Sequence, residues 1–163
     1  MTEQPEKGSS HSSPASRHPV TARTKARRRA VEILFEADQR GMLSPEGAEE
    51  LRSFAQLRAV SSANHTEAPA YTREILSGVA DHLAEVDEII ETYSQGWTLA
   101  RMPAVDRAIA RIATWEIVWN DDVDAPIAVD EAMTLSRMLS TDDSPRFLNG
   151  LLGRIGDLAD TLR

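Results

Sequence analysis

The sequence predicts an all-α protein, and three features of its 163 residues support that fold class. Apolar residues recur every three or four positions in the long segments, which is the period of an amphipathic helix. No segment of convincing length alternates apolar and polar residues as a half-buried strand does. Pro45, Pro103 and Pro145 stand near the start of apolar stripes, and proline is favoured in the first turn of a helix. We expect a compact bundle of about six to seven helices.

The first residues do not have the composition of a folded element. Residues 1–20 are rich in Ser, Pro, Gln and Gly, and Val20 is the only branched apolar side chain among them. Such a segment cannot bury enough surface to offset the entropy lost on ordering. We therefore expect a disordered N-terminal tail over 1–20 and a single helical domain over 21–163.

Two helices are predicted in the first third of that domain. The first begins at Thr21 and stops before Gly41, a residue type that commonly follows a helix. Its first half is cationic and its second half is amphipathic. The second helix begins at Ser44 as N-cap, with Pro45 in its first turn, and ends near Ala59.

The remaining helices follow from longer apolar stripes. One long helix is predicted over 71–93, because its apolar residues are spaced by three and four positions. Another helix covers 103–120. A shorter one runs from Asp130, as N-cap, to Leu139. The last helix starts at Ser144, and its stripe continues to Leu162.

Several functional classes are excluded or disfavoured by composition. The chain has no cysteine, which excludes a disulfide scaffold, a zinc–thiolate site and a cysteine nucleophile. No apolar run approaches the roughly 18 residues that cross a bilayer, and the N-terminus does not look like a secretory signal, so a cytoplasmic protein is expected. The four histidines lie apart, and the P-loop, GxGxxG and GxSxG motifs are absent. We expect a protein that is not an enzyme and holds neither metal nor cofactor.

Charge is distributed unevenly along the chain. The net charge is −8, yet the segment 7–29 contains seven basic residues and no acidic one. Such a cationic segment on an anionic body is typical of a nucleic-acid site. Five of the cations fall on the first helix and cannot share one face, so several must point to solvent; they are Arg23, Lys25, Arg27, Arg28 and Arg29. Charge alone leaves RNA, DNA, an acidic protein partner and a merely solvated helix end open.

Phe147 is the aromatic residue that fits the apolar stripes least well. It lies beside the stripe led by Leu148, near the start of the last helix. That position suits either satellite packing or a platform on which bases stack, and the residues alone do not decide between them. Asp143, just before this helix, is either a capping residue or a binding residue. The other aromatic residues, Trp97 among them, are expected in the core.

Four segments of the chain resemble the NusB family of transcription antitermination factors. They are ARTKARRRAVEILFEAD, GWTLARMPAVDRAIARIATWEI, APIAVDEAMTLSRMLS and STDDSPRFLNGLLGRI. Together they extend from about residue 21 to 156, apart from the second helix and its loop. The last two are the most specific, because a DE-A segment followed by DDS-x-x-F-x-NG-x-L is hard to obtain by chance.

This resemblance implies a fold, partners and site residues. The fold is two packed helical subdomains. The function is binding of boxA-type single-stranded RNA together with NusE, a small-subunit ribosomal protein, in a complex that keeps RNA polymerase elongating on ribosomal RNA operons. The implied RNA contacts are Arg23, Lys25, Arg27, Arg28, Asp143 and Phe147. Asp106 is implied at the NusE interface. A monomer and a homodimer both stay open.

The cationic start of the first helix, residues 23–29, is called the arm below. The principal alternative is a helical adaptor whose basic arm contacts an acidic protein partner rather than RNA. A helical DNA-binding regulator is a further alternative. We expect Arg27→Ala and Arg28→Ala to weaken RNA binding at low salt and to leave the melting temperature almost unchanged.

Overall fold

The computed structural model describes residues 20–60, 68–140 and 143–162. Within these ranges the chain forms eight α-helices and no strand, which confirms the all-α prediction. The helices are α1 Ala22–Gln39, α2 Ala48–Val60, α3 Ala70–Asp81, α4 Leu83–Tyr93, α5 Ala104–Trp119, α6 Ala125–Leu139, α7 Ser144–Asp157 and α8 Ala159–Leu162. The expected tail, up to residue 19, lies outside the described residues.

The helices pack in two groups that share α5. Helices α1, α2 and α3 contact one another, and α4, α6 and α7 surround α5. Helix α5 also contacts α1 and α3, and its side chains are buried on nearly every side. A helix enclosed in this way belongs at the centre of a core. The arrangement agrees with two packed helical subdomains.

The long helix predicted over 71–93 is two helices. Helix α3 ends at Asp81 and α4 begins at Leu83, and His82 between them has φ −121° and ψ 23°. The imidazole ring of His82 stacks on the Trp119 indole, with 4.3 Å between ring centroids. One non-helical residue leaves the apolar face aligned, so the periodicity of the sequence did not reveal the break.

Helix α6 begins earlier than predicted. It starts at Ala125, with Asp124 as N-cap and Pro126 in the first turn, rather than at Asp130. Pro126 lies between the two helices predicted in this region, which cover 103–120 and 130–139. Because proline fits the first helical turn, this residue was in fact a signal that the helix begins there.

Two other helix limits differ in detail. A 3-10 turn, Pro45–Gly47, separates Ser44 from the start of α2, so Ser44 does not cap α2 directly. The last predicted helix ends at Asp157 and resumes as the short α8 after Leu158. Gly41, by contrast, has φ 74° just beyond α1, as expected for a glycine that ends a helix.

Ion pairs fix the relative direction of α1 and α5. Near the start of α1, Arg27 Nε lies 2.8 Å from Glu116 Oε2, toward the end of α5. At the other end of α1, Asp38 Oδ2 lies 2.8 Å from Arg107 Nε, in the first turns of α5. The two helices therefore run antiparallel, and the cationic start of α1 lies beside the C-terminal part of α5.

The start of α7 lies toward the opposite end of α5. Asp106, in the first turn of α5, accepts hydrogen bonds from Ser140, just after α6, and from Ser144, the first residue of α7. Asp106 and Glu116 are ten residues apart on one helix. At 1.5 Å per residue, about 15 Å of helix axis separates the level of Arg27 from the level of Ser144.

Candidate nucleic-acid interface

The start of α1 is fixed by a capping box. The Thr21 hydroxyl accepts a hydrogen bond from the Thr24 N–H at 3.2 Å, and the Thr24 hydroxyl accepts one from the Thr21 N–H at 3.1 Å. Such a reciprocal pair satisfies two N–H groups that a helix start otherwise leaves without a partner. The basic residues that follow are therefore presented on an ordered helix.

Three of the four arm cations predicted to contact RNA are exposed: Arg23, Lys25 and Arg28. The guanidinium of Arg23 lies over the Tyr71 ring, 3.9 Å from its centroid, which orients this side chain by a cation–π contact. Arg28 Nε is 3.4 Å from Glu32 Oε2, and both side chains are about half exposed. Because an exposed pair of this kind is worth about 0–1 kcal/mol, a phosphate can replace Glu32 at little cost.

Arg27 occupies the interior instead. Its side chain is 4% exposed. Its Nε donates to both carboxylate oxygens of Glu116 at 3.1 and 2.8 Å, and Nη1 lies 3.1 Å from Glu131 Oε1. Tyr71 OH donates to Glu116, and Asn120 Nδ2 donates to Tyr71 OH at 3.1 Å. The prediction that Arg27 contacts RNA is therefore revised, since the protein's own carboxylates already hold its guanidinium.

Burial perturbs the titration of this cluster. Burial raises the pKa of Glu116 despite the opposing charge of Arg27 and the hydrogen bond from Tyr71. Burial also raises the pKa of Tyr71, and the charge of Glu116 adds to that rise. For Arg27, burial acts to lower the pKa, but the charge and hydrogen bond of Glu116 outweigh it and the pKa is raised. Arg27 is thus a permanent cation inside the protein.

A signal for the position of Arg27 was present in the sequence. Arg27 precedes Ala30, Val31 and Leu34 by three, four and seven residues, and all three are buried. That spacing puts Arg27 on the same face of α1 as the core residues. Arg28 is one position further and lies on the outside. Reading the five cations as one arm concealed this difference.

Asp106 also lies inside the protein rather than on a partner surface. It is 2% exposed. One of its carboxylate oxygens accepts from Ser140 Oγ, and the other accepts from Ser144 Oγ at 2.7 Å. The prediction that Asp106 contacts NusE is therefore revised. The observed contacts make it a residue that joins the end of α6 and the start of α7 to α5.

The role of Asp106 leads to a stability prediction. We expect Asp106→Ala to lower the free energy of unfolding by about 1–2 kcal/mol, because the buried hydroxyl of Ser144 and the partly buried hydroxyl of Ser140 lose their acceptor. Asp106→Asn, which keeps an acceptor oxygen, should lose less. Urea denaturation followed by circular dichroism measures both, with the exposed Asp130→Ala as control. Equal stability of Asp106→Ala and the parent protein would show that this carboxylate does not hold the two segments.

Asp143 and Phe147 lie together at the start of α7. Asp143 is the N-cap residue and is exposed, and its carboxylate makes no capping hydrogen bond within the described residues. Phe147 is half-buried and packs against Trp97, with 5.1 Å between ring centroids and 33° between ring planes. Trp97 itself is 47% exposed, so the expectation that it lies in the core is wrong. Two aromatic rings and a carboxylate thus reach the surface at this end of α5.

An open groove lies between the arm and α6. Its volume is about 370 Å³. The lining residues are Thr21, Arg23, Arg27, Asp122, Val123, Ile127 and Glu131. Ile127 is 47% exposed there. The groove offers an apolar wall beside the exposed guanidinium of Arg23.

The part of the chain that the structure describes contains neither a metal site nor a membrane-spanning helix. No group of three or more His, Asp or Glu residues there is placed to hold a metal ion. None of the helices there is both long and apolar enough to span a bilayer.

Comparison with known proteins decides the family. The NusB family model matches residues 24–157, which is most of the chain. The chain belongs to the NusB family. It is 52% identical over 148 residues to the transcription antitermination protein NusB of Beutenbergia cavernae, an alignment that covers 88% of this chain and 95% of that protein. The resemblance inferred from the four sequence segments is confirmed.

Solved structures agree with this assignment. NusB of T. maritima superposes with a TM-score of 0.66 at 26% identity, over 84% of this chain and 92% of that one. NusB in a crystal structure with NusE and double-stranded RNA superposes with a TM-score of 0.63 at 20% identity, over 83% of this chain and 96% of that one. The second likeness concerns the fold alone.

Proposed function

We propose that this protein is a transcription antitermination factor of the cytoplasm. It binds boxA-type single-stranded RNA together with NusE and keeps RNA polymerase elongating on ribosomal RNA operons. The observation that carries the proposal is the exposed cationic start of α1 on an otherwise anionic member of the NusB family. The relative from B. cavernae has the name of an antitermination protein, and a more distant NusB was crystallised with NusE and double-stranded RNA, which supports RNA as the ligand class but not the single-stranded form.

The mechanism is recognition, without chemical turnover. Arg23, Lys25 and Arg28 contact phosphates, because cationic side chains with several N–H donors suit phosphate oxygens. Such contacts position the strand but do not read its sequence. Phe147 stacks on an unpaired base, and Asp143 accepts hydrogen bonds from base edges. Unpaired bases are the part of RNA that aromatic side chains can reach.

The two parts of this surface have to be joined by one strand. About 15 Å of helix axis separates the level of Arg27 from the level of Ser144. At 3.4 Å per nucleotide of a stacked strand, this distance corresponds to about four or five nucleotides. Helix α6 borders both parts, since Glu131 contacts Arg27 and Ser140 follows the last turn of α6. The proposed path of the RNA therefore runs along α6.

Titration of labelled boxA RNA with and without NusE tests the function. We expect saturable binding of the single strand that tightens when NusE is added, because two ligands that favour the same state strengthen each other. Matching double-stranded RNA and duplex DNA should compete poorly. Failure to bind RNA with and without NusE would contradict the proposal and favour an acidic protein partner. Preferential binding of duplex DNA would favour a DNA-binding regulator.

A triple substitution of the exposed cations tests the arm. We expect Arg23→Ala/Lys25→Ala/Arg28→Ala to weaken RNA binding at low salt. If each side chain neutralises one phosphate, the slope of log affinity against log salt should become shallower by about 2. The melting temperature should hardly change, because these side chains are exposed. Filter binding over a salt series and thermal unfolding measure the two quantities.

A matched control distinguishes the loss of a cation in the arm from the loss of a cation elsewhere on the protein. Arg28 and Arg40 are both exposed arginines with a glutamate four residues away on α1, at 3.4 Å from Glu32 and 3.1 Å from Glu36. Arg28→Ala should weaken RNA binding, and Arg40→Ala, at the far end of α1, should not. Equal effects of the two substitutions would remove the arm from the RNA site.

A further inference from the structure

Trp97 and Phe147 form an exposed surface of two rings from separate parts of the chain. Trp97 lies in the loop between α4 and the 3-10 turn Leu99–Arg101, and Phe147 lies in α7. The ring centroids are 5.1 Å apart and the ring planes are tilted by 33°. That spacing and tilt are typical of a favourable aromatic pair. The pair nevertheless leaves almost half of Trp97 exposed.

The exposure of Trp97 is unusual for a tryptophan. Tryptophan is highly buried on average, and Trp115 of the same chain is only 6% exposed. A tryptophan that only filled the core would be placed as Trp115 is. Tryptophan, which combines a large apolar surface with a polar N–H, is enriched at binding interfaces.

The local backbone holds Trp97 in this position. Gln95 and Gly96 have φ values of 58° and 96°, which reverse the chain directly before Trp97. A positive φ at the non-glycine Gln95 is uncommon and is maintained by the surrounding structure. The Ser94 hydroxyl donates to the Trp97 carbonyl, and Arg154 Nε, from α7, donates to the Tyr93 carbonyl at 2.9 Å. The loop is thus tied to α7, and the ring is pre-organised beside Phe147.

Two cations lie close in sequence to the pair, and the exposed carboxylate of Asp143 lies at the same end of α7. Arg146 directly precedes Phe147, and Arg101 follows Trp97 by four residues; both are exposed. Aromatic rings beside cationic side chains are the combination with which proteins bind unpaired nucleotides, since the rings stack on bases and the cations follow the phosphates.

We propose that Trp97 is a base-stacking residue and that Trp97 and Phe147 together bind one unpaired nucleobase of the RNA. This inference rests on the proposed RNA-binding function and adds a residue to its site. Trp97 supplies a second π surface beside Phe147, so that the strand is held at this end by stacking and at the arm by charge. The two kinds of contact respond differently to salt, which makes them separable.

The test compares two substitutions of Trp97. Trp97→Leu keeps an apolar side chain against Phe147 but removes the aromatic surface, whereas Trp97→Phe keeps an aromatic ring. We expect Trp97→Leu to weaken binding of boxA RNA about tenfold, within the usual range for losing one stacked base. Trp97→Phe should stay within about twofold of the parent protein. The salt slope should be unchanged in both variants, because no phosphate contact is lost.

A series of RNAs that each lack one base distinguishes stacking from packing. If Trp97 acted only by packing within the protein, the effect of its substitution would not depend on which base is absent. Abasic nucleotides are placed one at a time along the boxA strand, and each RNA is titrated with the parent protein and with Trp97→Leu. At one position the effect of Trp97→Leu should disappear, because the stacked base is already absent. Leu57→Ala, at an exposed apolar residue of α2, is the control and should not alter RNA binding. Thermal unfolding of every variant accompanies the titrations.

The possible failures are distinguishable. If the parent protein binds no RNA, the proposed function itself is wrong. If the parent binds and Phe147→Leu weakens binding while Trp97→Leu does not, the function stands and this inference is overturned. It is also overturned if Trp97→Phe and Trp97→Leu weaken binding equally and both lower the melting temperature. That result would show that Trp97 acts by packing within the protein and not by stacking on a base. Loss of NusE binding with unchanged RNA binding would assign Trp97 to a protein interface instead.

Discussion

Arg27→Met is expected to lower the free energy of unfolding by about 3–5 kcal/mol. The substitution keeps an aliphatic side chain but removes the cation that faces the buried carboxylates of Glu116 and Glu131. Removing one partner of a buried ion pair commonly costs this much, because it leaves a charge without compensation in the interior. At about 2–4 °C per kcal/mol for a protein of this size, the melting temperature should fall by roughly 10 °C.

The control for this prediction is the neighbouring residue. Arg28→Met removes the same side chain from a position about half exposed, and its stability should stay within about 0.5 kcal/mol of the parent protein. The double variant Arg27→Met/Glu116→Gln should recover part of the loss, because it removes one of the buried carboxylates. If Arg27→Met and Arg28→Met unfold at the same urea concentration, the ion-pair cluster does not stabilise the fold.

The deficit of Arg27→Met should depend on pH. Burial raises the pKa of Glu116 above its ordinary value. Such a group contributes stability that is complete below its unfolded pKa, about 4.3, and is lost as the pH rises through its folded pKa. Without Arg27 the folded pKa of Glu116 rises further, so the loss extends over a wider pH range. The difference from the parent protein should therefore be larger at pH 7 and 8 than at pH 5.

Urea unfolding of the parent protein and of Arg27→Met at pH 5, 6, 7 and 8 measures this dependence. A deficit that grows on acidification would mean that Glu116 keeps its charge in the variant. That outcome would contradict the conclusion that burial raises the pKa of Glu116.

Gly78→Ala is the other substitution that we expect to lower the free energy of unfolding strongly. A Cβ atom at Gly78 would lie 2.1 Å from Cε2 and 2.2 Å from Nε1 of the Trp115 indole. Trp115 is 6% exposed, so its ring cannot move aside without disturbing the contact between α3 and α5. Overpacking of a core costs about 1–3 kcal/mol, and we expect a value near 3. The loss should appear despite the roughly 1 kcal/mol by which alanine is favoured over glycine in a helix.

A second glycine provides the matched control. Gly153 lies within α7, and a Cβ built there meets nothing within 4 Å. Gly153→Ala should therefore raise the free energy of unfolding by about 0.5–1 kcal/mol, as alanine restricts the unfolded chain and favours the helix. Thermal and urea unfolding of the two variants should give opposite signs. A neutral Gly78→Ala would mean that α3 and α5 separate easily.

The sequence predicted the fold because the relevant signals are local. Helical periodicity, Gly41 after α1 and the proline near the start of α7 each act within one turn of the chain. The errors arose where distant parts of the chain decide the structure. The break at His82 coincides with a ring stack on Trp119, a residue of another helix. Periodicity along one helix contains no information about such a contact.

The site was predicted less completely than the fold. Arg23, Lys25 and Arg28 are exposed as the sequence indicated, because a helix crowded with cations must point some of them outward. The burial of Arg27 depends on Glu116 and Glu131, 89 and more residues away. Such pairing is visible only in the folded chain. The exposure of Trp97 was not predicted, because apolar residues are assigned to the core by default.

The most direct test of the account is to map where the RNA lies on the protein. A boxA strand with 4-thiouridine at successive positions is cross-linked by light to the protein–NusE complex, and the cross-linked residues are identified by mass spectrometry. Nucleotides toward one end of the strand should cross-link to 21–29, and nucleotides toward the other end should cross-link to Trp97 or to 143–147. Cross-links confined to α2 and α3, or found at the same residues for every position of the strand, would contradict it.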